Sequence, residues 1–147
     1  MINSLSILIP TYNNVCLELV RDLQAQASIL SSTNDLEYEI LVADDGSTDK
    51  NTIEKNCEIN GLDNCRYIER KENIGRAAIR NFLAKEAKYP WLLFIDSNMN
   101  VINNQYLAKY QKEQECDVIY GGYQVRRNLK TKKHNLRYIF ECKALQN

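Results

Sequence analysis

The sequence predicts an α/β domain built on a mostly parallel sheet. Two observations carry that expectation. Short apolar runs of strand length alternate with longer stretches whose apolar residues recur at three- and four-residue spacing. Most of these runs also stop abruptly in polar, turn-forming residues: Thr11-Tyr12-Asn13, Asp44-Asp45-Gly46-Ser47 and Asp96-Ser97-Asn98. Strands that alternate with helices are joined by crossovers that cover both faces of the sheet. Crossovers of this kind are right-handed, which leaves a doubly wound, Rossmann-like sheet as the expected architecture.

The elements follow in order. "LSILIP" is a buried strand that ends at Pro10. Cys16, Leu19, Val20, Leu23, Ala27 and Leu30 then mark one face of a helix over 15–30, which "SSTND" is expected to break. "YEILVA" is the second strand. Ser47 or Thr48 is placed to cap a helix running to about Ile59, and Gly61 to end it. "CRYIER" is a third, shorter strand. "NIG" precedes a helix with Ala78, Ile79, Phe82, Leu83 and Ala87 on one stripe, and "WLLFI" is the fourth strand. A weaker helix near 105–115 and a strand near "DVIYGG" (117–122) complete the pattern.

Composition excludes several classes. The 147 residues suffice for one domain with a sizeable core, and no apolar run approaches membrane-spanning length. Lys+Arg and Asp+Glu number 19 each, so there is no basic field for nucleic acid. No signal peptide is recognisable, and a cytoplasmic protein is expected. Five cysteines without CxxC spacing, and one histidine (His134), argue for reduced thiols and against a zinc site.

In an open α/β sheet, ligands bind beyond the carboxyl ends of the strands. Each polar cluster there is by itself ordinary turn chemistry. Four of them on one edge suggest a site: Pro10-Thr11-Tyr12-Asn13, Asp44-Asp45-Gly46-Ser47, Asn73 with Gly75-Arg76, and Asp96-Ser97-Asn98. Tyr12 offers a flat face on which a nucleobase can stack. Asp45 can accept from an imide N–H of that base. Asp96 can accept from a ribose hydroxyl or ligate a divalent ion, and Asn98 can add its carbonyl oxygen. Mn²⁺ and Mg²⁺ favour such oxygen ligands together with phosphate oxygens. Arg76, in the first turn of its helix, can meet a phosphate, with Arg80 one turn further on the same face.

"SILIPTYNN", "ILVADDGSTDK", "NIGRAAIRN" and "WLLFIDSN", in this order and spacing over about residues 5–98, resemble the family 2 glycosyltransferases of the GT-A fold. The resemblance implies a nucleotide-sugar donor, usually linked to UDP, and inverting transfer to a saccharide or lipid-linked acceptor, as in polysaccharide biosynthesis. It places the base-binding aspartate on Asp45 and the strand-one Pro and Tyr on Pro10 and Tyr12. The Asp-x-Asp metal motif falls on Asp96, Ser97 and Asn98. The nucleotide-binding set is then Pro10, Tyr12, Asp44, Asp45, Arg76, Arg80 and Asp96, with Asp96 and Asn98 as metal ligands.

Two departures qualify the match. Asn98 stands where the family usually has Asp, which removes a negative charge and should weaken metal binding. The family also carries a further segment with the acceptor site and a catalytic base. Here only Glu141 follows Asp117 as a candidate, in a stretch expected to lead away from the sheet, and no base is assigned. The expected organisation is a donor-binding domain over 1–122 and the start of an acceptor-side region over 123–147, truncated at its C-terminal side. The alternative function is a catalytically weak or inactive nucleotide-binding module. The basic stretch 126–137 is a candidate for contact with an anionic membrane or a lipid-linked phosphate, although a solvated hairpin and tail is the simpler reading.

Overall fold

The computed structural model describes residues 1–113, 117–119 and 121–122. Residues Met1–Glu115 form one compact unit. Its sheet has four strands, β1 (Ser4–Thr11), β2 (Glu37–Asp44), β3 (Cys65–Glu69) and β4 (Trp91–Phe94), all parallel, in the order β3-β2-β1-β4. The helices are α1 (Leu17–Asn34), α2 (Lys50–Cys57), α3 (Arg76–Glu86) and α4 (Tyr106–Gln111). The chain winds outward from β1 through β2 to β3, then returns to the other side of β1 with β4. Doubly wound sheets take their ligands beyond the carboxyl ends of the strands that flank such a reversal, here β1 and β4.

Side chains alternate between the two faces of a strand. Leu8, Leu41 and Ala43 meet Ile79 and Leu83 of α3 in a closed apolar cluster, flanked by Phe82 and Ala87. Ile7, Ile9, Ile40 and Val42 alternate to the opposite face and are fully buried. Leu19, Val20, Leu23, Ala27 and Leu30 of α1, which packs on β2, are buried as well. Burial of side chains of this size contributes about 1.5–3 kcal/mol each.

Three boundaries differ from the sequence expectation. The helix α1 runs through Ser31-Ser32-Thr33 to Asn34 rather than breaking there. The Ser32 and Thr33 hydroxyls donate to the carbonyls of Ser28 and Ile29, and the helix stops where Asp35 turns left-handed at φ 53°. The cap of α2 is Asp49, whose carboxylate accepts from Thr52 N–H, and not Ser47 or Thr48. That helix ends at Cys57 and tightens into a 3₁₀ turn, Glu58–Gly61. The strand expected near 117–122 is not formed at any of its described residues, and Val118 is exposed. Glu141 and the basic stretch 126–137 lie outside the described residues. No helix among the described residues is long and apolar enough to cross a membrane.

Candidate functional site

The carboxyl edge of the sheet is a set of loops tied to one another by side chains. The segment after β1 is fixed first. Asn13 adopts φ 48°, a left-handed conformation that Asn tolerates, and its amide serves as a staple. Its Oδ1 accepts from the N–H groups of Thr48 and Asp49 at 2.8 and 3.0 Å. Its own N–H donates to Ser47 Oγ at 2.7 Å. Asn56 of α2, fully buried, holds the same segment from below. It accepts from Cys16 N–H at 3.0 Å and donates Nδ2 to the Asn14 carbonyl at 3.0 Å. Across the crevice, Asn14 Nδ2 donates to Ser97 Oγ at 3.1 Å and joins the loops of β1 and β4.

The two aspartates at the end of β2 part company. Asp44 lies on the face of Ile40 and Val42 and is fully buried. One oxygen accepts from Tyr67 Oη at 2.5 Å and the other from Ser47 N–H at 2.6 Å. Asp44, expected among the nucleotide-binding residues, has its carboxylate sealed inside, where it braces the turn that presents Asp45. Burial, and then the hydrogen bond to Asp44, push the Tyr67 hydroxyl well above the ordinary phenolic range. A raised tyrosine pKa contributes stability that is fully present below the unfolded value of 10.0 and is lost as pH climbs beyond it. Tyr67→Phe should strip a buried carboxylate oxygen of its donor and cost about 1.5–3 kcal/mol, to be read from the urea midpoint at neutral pH.

Asp45 alternates to the α3 face. It is only 5% exposed, and its two oxygens accept from the N–H groups of Ile74 and Gly75 at 2.8 and 3.0 Å. The loop before α3 can come this close because position 46 is glycine. A Cβ there would sit 2.7 Å from Asn73 N and 2.8 Å from the Glu72 carbonyl carbon, and φ is +78°. The Asp45 N–H donates to the Thr11 carbonyl at 2.8 Å, which sets Tyr12 and Asp45 side by side at adjacent strand ends. Tyr12 is 50% exposed and Pro10 half-buried, so part of the Tyr12 side chain is open to a ligand.

At the β4 end, Ile95 N–H still pairs with the Leu8 carbonyl, so the ladder delivers Asp96 to the crevice. Asp96 to Met99 then form a hydrogen-bonded turn, Met99 N–H to Asp96 carbonyl at 3.0 Å. Arg80 Nη2 donates to Asp96 Oδ1 at 2.5 Å, while Nη1 donates to the Arg76 carbonyl one turn back at 3.1 Å. Arg76 and Asn98 are exposed. A Mn²⁺ or Mg²⁺ ion at this edge would find one carboxylate already engaged by a guanidinium, and a neutral amide. Among the described residues no three His, Cys, Asp or Glu side chains group as a cation site. A dication beside this ion pair would be repelled by the guanidinium about as strongly as it would be attracted by the carboxylate, so the pair offers it little net attraction. By themselves Asp96 and Asn98 are a poor fit for a resident divalent ion, which would need a ligand's phosphate oxygens to complete its shell.

The structure thus gathers Tyr12, Asp45, Asp96 and Arg80 on one edge, with Arg76 and Asn98 exposed beside them. It gives Asn13 and Gly46, which the sequence expectation placed in the edge clusters without a task, a structural role. It adds Asn14 and Asn56, which that expectation left out and which carried no recognisable signal.

A four-stranded parallel sheet in this order, with polar loops concentrated at the β1–β4 reversal, is a Rossmann-like arrangement, and the overlay that follows identifies it as a GT-A type domain. The structure overlays on S. aureus TarS 1-349 in complex with UDP-GlcNAc with a TM-score of 0.57 and 29% identity, over 73% of this chain and 30% of that one. A mannosyltransferase from Pyrobaculum calidifontis, in complex with GDP-Man and Mn²⁺, shares the fold at a TM-score of 0.55 and 21% identity, over 71% of this chain and 30% of that one. Chondroitin synthase of Escherichia coli is 30% identical across 100% of the chain, which spans 21% of that protein. The poly(ribitol-phosphate) beta-glucosyltransferase of Bacillus spizizenii is 34% identical over 80% of the chain and 18% of its own length. Residues 6–145 match glycosyl transferase family 2, and the chain belongs to that family.

Proposed function

We propose that this chain is the donor-binding part of an inverting glycosyltransferase that takes a UDP-linked sugar and acts in polysaccharide biosynthesis. One observation carries the reading: the half-exposed Tyr12 ring stands beside the nearly buried Asp45 carboxylate, which two backbone amides hold in place. A carboxylate offers about four acceptor positions, and the Ile74 and Gly75 amides take two. An imide N–H of uracil can use a third while the base stacks on Tyr12. In this reading a ribose hydroxyl donates to Asp96, and Arg76 and Arg80 supply positive charge for the diphosphate.

The relatives support the same direction. The similar S. aureus TarS has been crystallised with UDP-GlcNAc and with UDP. The names of chondroitin synthase and of a teichoic acid poly(glycerol phosphate) polymerase from Staphylococcus epidermidis refer to polymer synthesis. In the proposed reaction, a carboxylate base takes the proton of an acceptor hydroxyl, whose oxygen attacks the anomeric carbon as the nucleoside diphosphate leaves. No described residue is assigned as that base, and the acceptor is a saccharide or a lipid-linked saccharide.

Calorimetric titration with UDP and ADP tests the donor reading. UDP should bind about tenfold or more tightly than ADP, because adenine has no imide N–H and leaves the Asp45 acceptor unused. Equal affinities would overturn the assignment of Asp45 to the base.

A further inference from the structure

We infer that the Arg80 guanidinium, seated on Asp96, does for the donor diphosphate what a divalent ion would otherwise do, so that the nucleotide binds without metal. The inference rests on the donor reading above. Three observations meet at this edge. Arg80 is anchored twice, to Asp96 Oδ1 and to the Arg76 carbonyl, so its planar fork is already oriented before a ligand arrives. It is 35% exposed, open enough to share its remaining N–H groups with an incoming anion. Asn98, the second oxygen donor of the turn, carries no charge.

Charge decides between the two modes. At the β4 turn, with Asp45 at the other end of the edge left aside, Asp96 contributes one negative charge, Arg80 and Arg76 one positive charge each, and Asn98 none, which leaves that turn net positive by one. A second carboxylate at 98 would cancel that excess and make room for a dication. With the amide, an added dication would sit against a guanidinium with a single carboxylate between them. A diphosphate meets the opposite situation, since guanidinium groups bind phosphate oxygens through paired, charge-assisted hydrogen bonds. Arg80 therefore keeps Asp96 oriented toward the ribose side while its own charge faces the phosphates.

The test is UDP binding by the full chain, by calorimetry, in EDTA and in Mn²⁺, with circular dichroism as the check on folding. The native chain should bind UDP with affinities that agree within about twofold in the two buffers, as expected when charge-assisted protein contacts alone hold the anion. Arg80→Gln should weaken UDP in EDTA by about tenfold or more, the usual cost of losing hydrogen bonds to a charged group. Arg80→Lys, which keeps the charge and should preserve the turn, should fall between the two because it lacks the planar fork. Asn98→Asp should create a Mn²⁺ enhancement that EDTA abolishes. If the native chain loses UDP in EDTA and regains it with Mn²⁺, the inference is overturned while the donor reading stands. If UDP binds in neither buffer, the donor reading falls, and this inference with it.

Discussion

Gly46→Ala should unfold the site before it unfolds the protein, and should cost the protein heavily as well. The new Cβ would be forced against the backbone of Glu72 and Asn73 at 2.7–2.8 Å, and backbone atoms cannot rotate aside. The left-handed φ of +78° adds a penalty of about 1–2 kcal/mol for any residue with a Cβ. Overpacking adds typically 1–3 kcal/mol. Together these predict a loss of about 3 kcal/mol, or roughly 6–12 °C in melting temperature for a chain of this size. The 72–75 loop must move away, which takes the Ile74 and Gly75 amides off Asp45. UDP affinity should therefore fall together with stability. A variant that melts within a degree or two of the native chain would show that the loop has room the structure does not display.

Asp45→Ala should produce the largest change in ligand binding. It removes the acceptor assigned to the imide N–H, and UDP should weaken by about 1.5–3 kcal/mol, roughly 10- to 150-fold. It also deprives two backbone amides of their carboxylate, so a drop in melting temperature is expected alongside. The two readouts separate two roles. Weaker UDP binding with a lower melting temperature fits a carboxylate that orders the loop and reads the base. A lower melting temperature with an unchanged UDP constant would leave Asp45 as a loop latch only.

The strands and the apolar stripe of α3 were legible because apolar runs and helical spacing are local properties of the sequence. So was the edge that carries the candidate site, since polar residues after a strand mark its carboxyl end. The distinction between Asp44 and Asp45 was not drawn, although strand alternation contains it: Asp44 shares parity with Ile40 and Val42, and Asp45 with Leu41 and Ala43. Drawing it needs the register with β3, which brings Tyr67 opposite Val42. The stapling roles of Asn13 and Asn56 were illegible for a different reason. Their partners lie 34–42 residues away, and an asparagine in a turn or on a helix looks the same whether or not it bonds across the fold. The extension of α1 depended on hydroxyls bonding back along the helix, an outcome that serine and threonine do not announce.

The central position of β1 has a consequence for how the domain assembles. The buried Ser6 hydroxyl donates to Glu39 across 33 residues of chain and accepts from the Tyr89 N–H across 83. Closing the longer loop costs about 0.8 kcal/mol more entropy than closing the shorter one. The β1–β2–β3 half therefore has the shorter path to a nucleus, and β4 docks onto a template already made. Asp96, just past β4, and its Arg80 contact belong to that late step. In refolding, amide protection should reach the β2 ladder before it reaches Ile95. In the native state the same order should run backwards, so that the Asp96–Arg80 end of the edge opens first while the Asp45 end stays shut.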